Sequence, residues 1–210
     1  MTRLLIARHG NTFGPNDTPV RIGARTDLPL SESGCQQANR LGIYLKKNHA
    51  NLSVIFTSEL KRTQQMAEIA IEVAQFAVEA KQLAIFNEID YGPDEAKTEE
   101  EVIARIGQTA IDNWNQCAKV PAGWQVNPDE IIHHWQQFAD QILTNYPTQT
   151  ILVITSNGIA RFAPHLLNDI KQFSKDYPLK MVTGAISEFY HFQDKWQLDR
   201  WNYKPDHDNL

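Results

Sequence analysis

The side chains best suited to chemistry fall in short clusters, each directly after an apolar run. Arg8 and His9 follow residues 4–7, Leu-Leu-Ile-Ala, and Gly10 closes the run. That is the pattern of a buried strand ending in a sharp turn. Arg62 lies a helical turn beyond a second run at 54–57, Glu88 just past a third at 83–86, and Ser156 and Asn157 after the strongest, 151–155. Two arginines and a histidine fit a tetrahedral dianion, because guanidinium groups make paired, charge-assisted bonds to phosphate oxygens. A neutral imidazole can attack phosphorus once an acceptor fixes its other nitrogen. A carboxylic acid can protonate the departing oxygen. Each cluster alone also has a plainer reading: an exposed Arg-His at a turn, or Ser or Asn capping a helix.

These groups meet only if the elements around them form an open α/β sheet, in which ligands bind outside the carboxyl ends of the strands. The elements fit that expectation. Ser31 caps a helix running to about residue 47, with Ala38, Leu41 and Leu45 at helical spacing. Ser58 is read as the cap of a second helix carrying Leu60, Met66, Ala67, Ile69 and Ala70. Arg62 in its first turn opposes the helix macrodipole, a conflict that a bound anion removes. Residues 83–86 read as a short strand, about 99–116 and 128–145 as helices, and 159–167 as a helix after the strand at 151–155. Segments 186–192 and 196–201 read as strands of an edge hairpin. The loop at 11–29 is long for a compact domain and therefore a candidate for function. It carries Arg21 and Arg25, which could face an anion.

Bulk composition narrows the classes. At 210 residues the chain is read as one domain, residues 1–210, with an insertion at about 94–129. A net charge of −5 argues against a nucleic-acid partner, so an anionic ligand needs a local positive pocket. Cys35 and Cys117 form no close pair, and neither a disulfide framework nor a zinc site is expected. No stretch approaches a membrane span and the first apolar run is too short for a signal peptide, which makes cytoplasmic residence the default reading. His133 and His134 are adjacent on a helix and cannot share a face as ligands would. Asp206-His207-Asp208 in the polar tail is discounted as a metal site.

Five blocks, in order, carry a resemblance: Leu5-Ile6-Ala7-Arg8-His9-Gly10-Asn11-Thr12; Asp27-Leu28-Pro29-Leu30 with Gly34, Gln37 and Ala38; Thr57-Ser58-Glu59-Leu60-Lys61-Arg62-Thr63; Glu88-Ile89-Asp90-Tyr91-Gly92; and residues 151–161 ending in Arg161. Together they resemble the histidine phosphatase superfamily, which includes cofactor-dependent phosphoglycerate mutases and many small phosphatases. The resemblance implies a three-layer α/β/α sandwich around a mostly parallel sheet, with the site at the strand carboxyl ends. It also implies a double displacement. His9 would be the nucleophile and carry the phosphoryl group; Arg8 and Arg62 would clamp it; Glu88 would be the acid and then the base. No metal and no cofactor is implied, since the arginines supply the positive charge.

The chain departs from the family pattern in the fifth block, where a second histidine is usual. An ungapped alignment through Ile154 and Arg161 puts Ser156 there, and a one-residue slip puts Asn157 there. Neither side chain carries charge, and losing one such donor typically costs ~2.7–4 kcal/mol of transition-state stabilisation. Backbone N–H groups at the following helix start are a partial substitute. The run Asn11-Thr12-Phe13-Gly14-Pro15-Asn16 and the run Asp94-Glu95-Ala96 also differ from mutases, at positions that bear on substrate recognition. Asn11, Asn16 and Arg21 are the substrate-binding candidates, and Ser156 and Asn157 join Arg8 and Arg62 as phosphate-binding candidates. Trp114, Trp124 and Trp135 are read as core of the insertion rather than pocket. The leading expectation is a phosphomonoester hydrolase acting on a small phosphorylated metabolite, at reduced rate. The alternatives are a phospho-ligand or inorganic phosphate binder without turnover, and a mutase-type isomerase. The oligomeric state stays open, a homodimer among the options.

Overall fold

The computed structural model describes residues 1–205, so the tail motif at 206–208 lies outside the described residues. A six-stranded mixed sheet is built from β1 (Thr2–Arg8), β2 (Leu52–Thr57), β3 (Ala80–Gln82), β4 (Thr150–Thr155), β5 (Ile186–Phe192) and β6 (Lys195–Tyr203), in the order β3-β2-β4-β1-β5-β6. β3, β2, β4 and β1 run parallel, while β5 and β6 add antiparallel strands at one edge. The late strand β4 slots between β1 and β2. Its register pairs Arg8 with Thr155 and Thr57 with Ile154, so three strands end level with one another.

The apolar runs are continuous because both faces of the sheet are covered. Leu5 and Ala7 of β1, with Leu152 and Ile154 of β4, pack under α1 (Glu32–Asn48) and α2 (Lys61–Ala74) through Leu41, Leu45, Met66 and Ala70. Leu4 and Ile6, with Ile151 and Val153, face the other way toward Phe86, Trp135, Phe138 and Ile142. That second layer holds α3 (Glu99–Ile106), α4 (Gln108–Cys117) and α5 (Pro128–Asn145). Two short helices, α6 (Asn157–Ala160) and α7 (Ile170–Asp176), follow β4. Truncating a fully buried β1 leucine to alanine in such a sandwich costs about 2–5 kcal/mol.

Four expectations need correction. Residues 83–86 are not a strand. The strand is Ala80–Gln82, all exposed, and Ala84–Phe86 form a 3-10 turn once the Leu83 N–H has bonded the Thr57 carbonyl at 2.9 Å. The helix expected over 99–116 breaks at Gly107, whose φ of +81° only glycine adopts readily, and becomes α3 and α4. The helix expected over 159–167 is the short α6 followed by a 3-10 turn at Ala163–Leu166. Ser58 is not the cap of α2. Leu60 holds that position with no side-chain bond, and the Ser58 hydroxyl instead accepts from the Leu60 N–H at 3.2 Å and pairs with Thr63 at 2.7 Å. The edge hairpin, the Ser31 cap and the helix at 128–145 form as expected.

Candidate active site

His9 is buried one residue past β1, and its N–H bonds the Thr155 carbonyl at the end of β4 at 3.0 Å. Its Nδ1 lies 2.8 Å from the Gly10 carbonyl. A carbonyl only accepts, so Nδ1 carries the proton and Nε2 keeps its lone pair. Burial, reinforced by Arg62 and Arg8, holds the imidazole well below the usual histidine range. It is neutral at physiological pH.

The two arginines are placed from different elements. Arg8, at the end of β1, bonds the Met181 carbonyl. Arg62, in the first turn of α2, is fully buried and bonds the carbonyls of Thr26 at 2.9 Å and Gly23 at 3.4 Å. Glu59 is no partner for it, since that carboxylate bonds Asn87. Burial lowers both guanidinium pKa values, against the pull of Glu88. Holding such charges out of water costs several kcal/mol per ion. Neutral carbonyls offset only part of that cost, and a bound dianion would offset much more.

Glu88 comes off the 3-10 turn rather than a strand end, and is buried. Its Oε1 accepts from the Ile89 N–H at 2.9 Å, and its Oε2 accepts from the Gly158 N–H at 3.3 Å and the Tyr91 hydroxyl at 3.4 Å. A Cβ on Gly158 would collide with Glu88 Oε1, so this close approach requires glycine.

The two residues expected in place of a second histidine have separate positions. Ser156 is fully buried with its Oγ 3.5 Å from Arg62. Asn157 lines the cavity and accepts the Met181 N–H at 3.0 Å through Oδ1. The Met181 residue is thus pinned at both ends, its carbonyl by Arg8 and its N–H by Asn157. Behind them Arg161 is fully buried, 3.9 Å over the Trp114 ring, bonded to the carbonyls of Asn157 and Trp114. Burial lowers it to about 10, so it stays charged at neutral pH.

A cavity of about 620 Å³ opens over this group, with Arg8, His9, Glu88 and Asn157 in its wall. Arg62 and Ser156 are buried beneath that wall. Asn11 reaches the cavity, yet its amide is also occupied by Ser33 at 3.1 Å and Thr183 at 2.5 Å. Arg21 lines the wall too, ion-paired with Glu99 and stacked 5.0 Å over Trp124 and 5.2 Å over Tyr91. Asn16 does not join them: it is exposed on an outer turn, away from the cavity lining. Arg25 also turns away, toward Asp90 at 3.2 Å. Trp124 and Trp135 are core, whereas Trp114 is both core and cavity wall. Sequence reasoning missed Lys180 and Thr183, which reach the cavity from a stretch with no motif around it. Among the described residues no group of three or more His, Cys, Asp or Glu is placed to hold a metal ion.

Several known proteins share this arrangement of chain. The profile of the histidine phosphatase superfamily (branch 1) matches residues 4–204. An uncharacterized phosphatase of Bacillus subtilis is 25% identical over 96% of this chain and 95% of its own length. A phosphoglycerate mutase of Candida albicans is 34% identical over 58% of this chain; the match spans only 48% of the mutase, about half its length. Among solved structures, a mycobacterial glucosyl-3-phosphoglycerate phosphatase superposes with a TM-score of 0.78 at 19% identity, covering 96% of this chain and 99% of that one. A phosphoserine phosphatase of Entamoeba histolytica, in complex with 3-phosphoglyceric acid, does so with a TM-score of 0.75 at 20% identity over 100% of both chains. With Arg8-His9-Gly10 at the end of β1 and the profile match running through β6, the chain belongs to the histidine phosphatase superfamily.

Proposed function

We propose that this protein hydrolyses phosphomonoesters through a phosphohistidine at His9. The observation that carries the reading is the fixed tautomer: Nδ1–H on the Gly10 carbonyl leaves Nε2 as a neutral nucleophile, under the positive charges of half-buried Arg8 and buried Arg62. Arg8 and Arg62 bind the phosphate oxygens and spread the charge that develops on them. His9 Nε2 forms the new bond to phosphorus as the ester P–O bond breaks, and the leaving oxygen takes a proton from Glu88. A water then gives its proton to the Glu88 carboxylate and attacks phosphorus. The P–N bond breaks, and neutral His9, protonated Glu88 and inorganic phosphate result. The Gly158 and Ile89 N–H groups orient Glu88 for both transfers.

Ser156 supports the expectation of a reduced rate. Its hydroxyl sits beside Arg62, where it can donate one hydrogen bond but supplies no charge. The same feature favours a second reading, a phospho-ligand binder without turnover. Phosphate release from a panel of phosphomonoesters, with calorimetric phosphate titration alongside, separates the two. Release by wild type that disappears in His9→Ala supports the hydrolase; phosphate binding without release supports the binder. Activity that appears only with a bisphosphate primer identifies a mutase-type isomerase. Release that persists in His9→Ala refutes the phosphohistidine route.

A further inference from the structure

Three cationic side chains line the cavity, those of Arg8, Arg21 and Lys180. A phosphate dianion is matched by Arg8 and Arg62. Arg21 is ion-paired with Glu99. Lys180 also lines the cavity, and its ammonium has no ion pair or hydrogen bond among the described residues, while its carbonyl accepts from the Asn202 amide at 3.3 Å. Its backbone position is fixed, because the next residue, Met181, is held by Arg8 on one side and Asn157 on the other. Lys180 therefore enters the same cavity wall as Arg8, His9 and Asn157 from a held backbone position.

We infer that Lys180 is a specificity-determining residue that binds a second anionic group of the substrate, so that the preferred ligands are phosphomonoesters bearing a carboxylate or comparable acid. This rests on the phosphate-site reading above but not on turnover. Lys180 is exposed where it lines the cavity, and partial desolvation together with the positive charges of Arg8, Arg161 and Arg21 lowers its pKa, against the pull of Glu99. A substrate anion would relieve that repulsion as well as form a charge-assisted bond. The cavity has room for such a ligand: about 620 Å³ is well beyond the space a bare phosphate needs. The apolar wall of Phe13, Val20 and Trp114 would face the carbon skeleton between the two anions.

The test uses matched probes that differ only at the second group: 3-phosphoglycerate against glycerol 3-phosphate, and phosphoserine against phosphoethanolamine. Wild type, Lys180→Met and Lys180→Arg are compared by kcat/KM and, independently, by calorimetric affinity. Wild type should favour the carboxylated member of at least one pair by about tenfold or more, the size of one charge-assisted bond. K180M should erase that ratio, chiefly through KM, and K180R should restore much of it. A ratio unchanged in K180M, or no preference in any pair by either method, overturns the inference. If affinity shows the Lys180-dependent preference while no phosphate is released, the inference stands and the hydrolase reading fails.

Discussion

The inner and outer halves of the cavity are built differently. At the inner end, His9 and Arg8 sit on the end of β1, and the His9 N–H is bonded to the last residue of β4. Arg62 and Ser156 start the elements that follow β2 and β4. Moving Arg8 or His9 means breaking the register of a parallel sheet buried on both faces, and Arg62 is itself fully buried under two backbone carbonyls. At the outer end, Phe13, Val20 and Arg21 come from a loop, and Trp114 and Glu99 from helices on either side of the Gly107 break. Those contacts depend on a short backbone bridge between residues 20–21 and 96–98, one ion pair and two stackings of Arg21 on rings. In the proposed reaction the chemistry is held by the sheet and the selectivity by its attachments. Substitutions inside should therefore damage every substrate alike, whereas those outside should change the ranking of substrates, as with Lys180.

The largest effect should come from His9→Ala. Loss of the nucleophile is expected to lower kcat by ~10³-fold or more for every ester tested, with the fold intact by circular dichroism. Glu88→Gln comes next, with ~10²–10⁴-fold lost, more for alkyl than for nitrophenyl esters because a poor leaving group needs the proton. Gly158→Ala should approach the same deficit without touching a carboxylate, since its methyl group displaces Glu88. If it keeps full activity with a lowered melting temperature, the Glu88 placement is wrong.

Ser156→His should act in the opposite direction. An imidazole beside Arg62 is expected to raise kcat by about 10²–10³, again for all substrates. A folded variant with no gain would show that Ser156 does not stand in the place of the missing histidine. A smaller effect is expected in stability. His9 is held neutral by burial, with its pKa depressed, while in the unfolded chain it titrates near ~6.5. Below that pH the unfolded state binds the extra proton, so the unfolding free energy falls as pH drops, by up to ~1.4 kcal/mol per unit from this group. Urea titrations from pH 7 to 5 should show a shallower slope in His9→Gln; parallel curves would contradict the buried neutral imidazole.

The contrast between the two ends also marks what could be read before the structure. Arg8, His9 and the 156–157 turn each follow a fully buried apolar run, so strand pattern alone placed them at strand ends. Arg62 was legible through its conflict with the helix dipole. The strand beside β2 was not, because Ala80, Lys81 and Gln82 are all exposed and lack the apolar pattern on which detection depends. The apolar residues next to it, 83–86, serve a 3-10 turn instead. Asn16 and Arg25 were chosen for their residue type and loop position. Neither shows which way a loop faces, and both turn outward. Lys180 had no motif around it. The paired hydrogen bonds to Met181, with Asn202 bonded to the Lys180 carbonyl and the Val182 N–H, hold its backbone at the cavity.

The most direct test of the central claim is to trap the intermediate. Wild type is mixed with a reactive phosphomonoester, quenched in alkali, where phosphohistidine survives, and digested for mass spectrometry. A phosphoryl group on the peptide bearing His9, formed and lost at rates that account for turnover, is the predicted result. Turnover with no phosphoryl group on His9 at any time, under conditions where phosphohistidine standards survive, would contradict it.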